Sequence, residues 1–129
     1  MDPGTSGQPG SDGWSDYVAR QEPQSPLAAS FSRPPAALSL AGVIDESTYP
    51  VLRRILAKAA MSGDDTIRVD MAEVEFCDLG GLRIVTAMAG PGRPLRQLVI
   101  THLPAHLADI MHILGWDTAP GVHVLETAR

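Results

Sequence analysis

The chain has 129 residues, a length that suits one domain and leaves little room for a second. Ten Lys/Arg against fifteen Asp/Glu leave a formal charge of −5, which argues against the basic face that carries non-specific nucleic-acid binding and disfavours docking on anionic lipid. Aromatics at 5% make any core aliphatic, the single cysteine (Cys77) excludes an intramolecular disulfide, and no run reaches the roughly 18 apolar residues of a membrane span.

Composition divides the chain into a tail and a body. Among residues 1–35, six Pro, four Gly and six Ser leave too little apolar surface to offset ordering entropy. The expectation is a disordered or flexible tail over 1–26 and one domain over 27–129. The tail begins without the basic and apolar regions of a secretory leader, so the expected compartment is the cytoplasm. Within it, Trp14, Tyr17 and Val18 stand at i, i+3 and i+4, which suits either a short docking helix or an incidental aromatic pair.

Across the body the hydrophobic period switches repeatedly between two and 3.6 residues. Ala36–Ala41 alternates, with Leu38 and Leu40 on one face, and reads as a strand ending at Gly42. Ser47 or Thr48 then offers an N-cap, and Pro50 suits a first helical turn, where its missing N–H costs nothing. The following helix aligns Val51, Leu52, Ile55, Leu56 and Ala59 on one stripe, with Arg53, Arg54 and Lys58 facing water. Ser62-Gly63-Asp64-Asp65 ends it, and Thr66–Asp70 is a short alternating strand. A second helix begins near Leu79–Gly81 and runs to Ala89, burying Leu82, Val85 and Met88 or Ala89, before the stop Gly90-Pro-Gly-Arg-Pro94. Gln97–Ile100 is a strand. Pro104 opens a third helix with Leu107, Ile110, Met111 and Leu114 in register, Gly115 terminates it, and Val122–Leu125 is a last strand. The pattern predicts an α/β sandwich: a mostly parallel sheet of four or five strands, with three or more helices packed on it by right-handed crossovers.

A search for catalytic chemistry is largely negative. No phosphate-binding loop, dinucleotide fingerprint or nucleophile elbow occurs. His102 and His106 are separated by Pro104, and His112 lies about 240° around the helix from His106, so the histidines do not converge on a metal. Cys77 is flanked by Glu73, Glu75 and Asp78, which would raise its pKa and favour a structural role over thiol chemistry. Those carboxylates have the spacing of a solvated loop, and Asp70 with Asp78 lacks a third ligand. The expectation is no enzyme, cofactor or metal. Phe76-Cys77-Asp78-Leu79-Gly80-Gly81-Leu82-Arg83, however, joins a strand end to a helix start. There the free N–H groups, with glycines permitting close approach, suit either a partner surface or a plain Asp-capped turn.

At this segment the body resembles a STAS domain, the family of bacterial anti-sigma-factor antagonists. The family pattern is Gly-x-apolar-Asp after the second strand, Asp or Asn closing the next strand, then Phe-x-Asp-Ser-Ser/Thr-Gly-Leu/Ile. The corresponding residues are Gly42-Val43-Ile44-Asp45, Val69-Asp70 and Phe76-Cys77-Asp78-Leu79-Gly80-Gly81-Leu82. The resemblance continues through Leu98–Ile100 and Pro104 to Leu114-Gly115-Trp116, spanning roughly residues 28–129. It implies a non-catalytic module that binds an anti-sigma factor of the GHKL kinase type and frees a sigma factor. In the family the kinase reverses this by phosphorylating the second hydroxyl residue of Asp-Ser-Ser-Gly. Here that position is Gly80 and the preceding one Leu79, so no hydroxyl can accept phosphate there. The expected partner-facing patch is Asp45, Asp78, Leu79, Gly80, Gly81 and Arg83, with the two Asp accepting hydrogen bonds and Arg83 pairing with an acidic group across the interface. Thr86, two turns along, is poorly placed as a substitute acceptor. The alternative is a STAS subunit with a scaffolding or transport-associated assembly role, pointed to by Ile84 and Ile113 off the main stripes. Homodimerisation is open.

Overall fold

The computed structural model describes residues 26–33 and 36–125; the Trp14–Val18 motif and most of the predicted tail lie outside these. In chain order the elements are β1 (Leu27–Ser32), β2 (Ala37–Ile44), a 3-10 turn (Glu46–Thr48), α1 (Tyr49–Ala60), β3 (Thr66–Cys77), α2 (Leu79–Thr86), β4 (Gln97–Thr101), α3 (Ala105–Leu114), a second 3-10 turn (Trp116–Thr118) and β5 (Val122–Leu125). The five strands lie in sequence order in one sheet. β1 pairs antiparallel with β2, and β2 through β5 are parallel. This is the α/β sandwich expected from periodicity. Because every parallel crossover steps in the same direction with the same hand, the helices collect on one face.

The register shows which face that is. Leu38 pairs with Val69, Val69 with Ile100, Ile67 with Leu98, and Leu98 with Val122. All are buried, whereas Ser39, Arg68, Gln97 and His123, on the alternate positions, are not. Under the helices the core is aliphatic, and Leu52, Ile55, Leu82, Leu103 and Met111 fill it. The stripe predicted for the first helix, Val51, Leu52, Ile55, Leu56 and Ala59, is the face α1 buries. In α3, Leu107 and Met111 are buried, while Ile110 is half-buried and Leu114 exposed, so that stripe is narrower than predicted. Gly115 ends α3 in the left-handed region, at φ 76°.

Four boundaries differ from the sequence reading. β1 was not anticipated as a strand; its alternation, with Leu27 and Phe31 inward, is short and sits beside the Pro/Ser-rich tail. β2 does not end at Gly42 but passes through it to Ile44. Gly42 has φ 108°, and a Cβ there would meet the Pro26 carbonyl oxygen at 1.8 Å; that same oxygen accepts from the Val43 N–H at 2.9 Å. Glycine here lets the chain entering β1 approach β2 at close range. β3 runs to Cys77 rather than stopping at Asp70, so Glu73 and Glu75 are on a strand and not in a solvated loop. Its pairing to β4 ends at Asp70, and its register against β2 slips twice, opposite Ser39/Ala41 and Gly42/Val43. Such bulges erase the period-two signal, and a stretch with β2 as its one partner strand has little apolar surface to display. Finally, α2 stops at Thr86 instead of Ala89, with Ala87 as its C-cap.

Candidate functional site

The corner is built by two adjacent parallel strands ending together. Ile44 and Cys77 are register partners, so Asp45 and Asp78, the next residues, leave the sheet side by side at its C-terminal edge. The backbone N–H of Asp78 donates to the Ile44 carbonyl at 3.1 Å, tying the two exits. Each aspartate then starts a helical segment.

Asp45 caps the 3-10 turn. Its Oδ1 accepts from the Ser47 N–H at 2.9 Å and the Ser47 hydroxyl at 2.6 Å. Its own N–H donates to Thr48 Oγ1 at 3.0 Å, completing a reciprocal capping box. Thr48 is thus buried and occupied with the turn. It stands at the N-cap of α1 but makes no side-chain cap to that helix, so Asp45, and neither Ser47 nor Thr48, is the capping side chain. Pro50 falls in the first turn of α1, as its chemistry requires.

Asp78 caps α2. Its Oδ1 accepts from the Gly81 N–H at 2.7 Å, satisfying one of the helix's unpaired donors. The same carboxylate accepts the Tyr49 hydroxyl, which lies 2.8 Å from Oδ1 and 2.9 Å from Oδ2. Tyr49 is the residue that sequence reasoning missed. It reaches across from α1 and its phenol is pushed up to about 12, first by this hydrogen bond to an anion, then by loss of hydration and the negative charge of Asp78. The Arg53 guanidinium lies 5.8 Å from the centroid of its ring. The signal available in the sequence was Tyr49 itself, the first residue of α1, but nothing in linear spacing relates it to a residue 29 positions away.

The six predicted patch residues separate into two groups. Asp45, Asp78, Leu79 and Gly80 lie together at the edge, with Leu79 40% exposed and Gly80 open to solvent. Phe76, 53% exposed, alternates along β3 with the buried Cys77 and so leaves the opposite face of the sheet. Gly81, by contrast, is buried: a Cβ there would meet Ile44 Cγ2 at 2.2 Å, so it is glycine to seat α2 on β2 and presents no surface. Arg83 is exposed but its guanidinium lies over the Trp116 ring at 5.2 Å, so it has a partner within the chain. Thr86 is buried, its hydroxyl donating to the Arg83 carbonyl at 3.2 Å, which removes it as an acceptor on the surface. Ile84 is half-buried and lines a groove of about 480 Å³ between α1 and α2 with Leu56, Ala57 and Met88. Of the two residues read as lying off the stripes, Ile113 alone is freely exposed, at 79%.

Cys77 is buried and its thiol is pushed up to about 12, by burial first and the Asp78 charge second, so burial outweighs the carboxylates invoked from sequence. Neither Cys77 nor Tyr49 is ionised near neutral pH. Among the described residues no cluster of three or more His, Cys, Asp or Glu is arranged to hold a metal ion. Asp70 and Asp78 do not converge: Asp70 accepts from the Ala72 N–H and pairs with His102, each at 2.9 Å. His112 pairs with Asp117 at 3.0 Å. No helix among the described residues is long and apolar enough to cross a membrane.

Comparison with known proteins places this geometry in a family. The solved structures include a similar one, the crystal structure of an anti-sigma factor antagonist from Mycobacterium paratuberculosis. It superimposes with a TM-score of 0.61 at 18% sequence identity, over 75% of this chain and 85% of that one. The likeness establishes a shared fold. No curated protein sequence matches. The family model described as "Mlab, STAS domain" matches residues 27–126, from the first residue of β1 to just beyond β5. The chain belongs to the STAS domain family.

Proposed function

We propose that this protein is a non-catalytic regulatory module that binds an anti-sigma factor of the GHKL kinase type, releases the sigma factor held by it, and is not switched by phosphorylation at position 80. The carrying observation is the corner itself: two capped helix starts side by side, exposed Leu79 and Gly80, and no hydroxyl at the position where the family carries its phosphoacceptor. The anti-sigma factor antagonist of the same fold supports the reading. A phosphate adds about −1.5 to −2 charges at a helix N-terminus; without an acceptor the surface keeps one charge state, and control passes to the amount of protein. A cytoplasmic location follows from a partner of that kind.

The test is direct. Purified protein is titrated into candidate GHKL-type anti-sigma factors by calorimetry, then incubated with the binder and ATP. Saturable binding with no phosphate on residues 78–82 is expected. Binding to none of them, or phosphate in that segment, overturns the proposal.

A second reading, an assembly subunit, is favoured by the exposed Ile113 and Leu114 at the end of α3. It predicts a constitutive oligomer, a homodimer at the least, in light scattering after size exclusion, lost in Ile113→Asp.

A further inference from the structure

We infer that Tyr49 occupies, from α1, the space that a Cβ at position 80 would need. This rests on the corner being the partner surface and adds what holds that surface in one state. An ideal Cβ on Gly80 would lie 2.1 Å from the Tyr49 hydroxyl oxygen, a separation that real Cβ atoms do not adopt, and a tight 3.0 Å from Cζ, so the phenol at the end of the Tyr49 side chain must move aside. Backbone conformation does not account for the glycine, because Gly80 is not among the residues of positive φ. The obstacle is the phenol.

The phenol is also held in place. It donates to the Asp78 carboxylate at 2.8 Å, and that oxygen simultaneously takes the Gly81 N–H that starts α2. Tyr49, Asp78 and the first turn of α2 are therefore one hydrogen-bonded unit that spans two helices beside Gly80. A serine at 80 must drive the phenol off Asp78. The switch is thus removed twice: the hydroxyl is absent from position 80, and its place is taken from position 49. Asp78 is correspondingly engaged inside the chain, so what a partner meets is the phenol edge with Leu79 and not a free carboxylate.

A double-mutant cycle on the full chain tests this without any partner. Wild type, Gly80→Ser, Tyr49→Ala and the double variant are unfolded in urea. Gly80→Ser is expected to raise the unfolding equilibrium constant on the order of fivefold, and the increase should vanish when the same change is made in the Tyr49→Ala background. A spectroscopic signature accompanies it: in Gly80→Ser the displaced Tyr49 phenol should titrate closer to the ordinary 10.0 than to about 12. Equal penalties in both backgrounds, no penalty in wild type, or an unmoved phenol overturns the inference. If Gly80→Ser does not fold, recovery of folding in the double variant supports it, and failure of the double variant where Tyr49→Ala folds overturns it. Failure to find an anti-sigma partner leaves this cycle untouched, and failure of the cycle leaves the partner reading standing.

Discussion

Replacing Asp78 tests what its carboxylate contributes to the corner. In Asp78→Ala the Gly81 N–H loses its acceptor at 2.7 Å and α2 loses its cap. Removing an N-cap of this kind costs about 1 kcal/mol, within a range of roughly 0.5–2. For a folded body of this size that is a fall in melting temperature of about 4–8 °C. Set against a total stability of about 5–15 kcal/mol, the variant remains folded at 25 °C, so binding can be measured on native protein. Asp78→Asn supplies the control, since asparagine caps about as well as aspartate and its amide oxygen still offers Tyr49 an acceptor. The expected order in circular-dichroism melts is wild type close to Asn, with Ala clearly lower. If Ala melts with wild type, or Asn falls as far as Ala, the cap is not what the carboxylate contributes and the account of the corner is wrong.

Two further predictions concern protons. Tyr49 titrates near 12 in the folded protein against 10.0 for an unperturbed phenol, a raised value. The neutral phenol's contribution to stability is therefore complete below pH 10 and is lost as the pH rises from 10 through 12. Ultraviolet titration of wild type against Tyr49→Phe should assign a phenolate transition near 12 to Tyr49, and a Tyr49 transition at the ordinary 10.0 refutes it. The Cys77 thiol, raised from 9.0 to about 12 by burial, should be alkylated by iodoacetamide at pH 8 far more slowly in the native protein than in urea; equal rates refute the buried, protonated thiol.

Much of the architecture is legible in the sequence because it is carried by local period. The five buried positions of α1 follow from one amphipathic stripe, and Gly115 announces the end of α3 through its φ of 76°. The misreadings occur where a long-range contact sets the local conformation. Gly42 reads as a terminator because glycine usually breaks strands. Its real reason is the Pro26 carbonyl, contributed by a neighbouring strand's approach. The second half of β3 reads as a loop because two register slips against β2 scramble its alternation. Gly81 reads as surface because two adjacent glycines look alike in a sequence. Packing distinguishes them, one against Ile44 and the other beneath Tyr49.

By itself the sequence determined the βα alternation, the aliphatic core positions and the absence of a hydroxyl at position 80, since period and residue chemistry are properties of the chain taken a few residues at a time. The tertiary structure alone decided that Asp45 and Asp78 emerge side by side, that Arg83 is turned to Trp116, and that Tyr49 reaches Asp78 beside Gly80. Those relations depend on which strand ends meet and which helix leans on which, and a sheet settles that by pairing segments far apart in the chain.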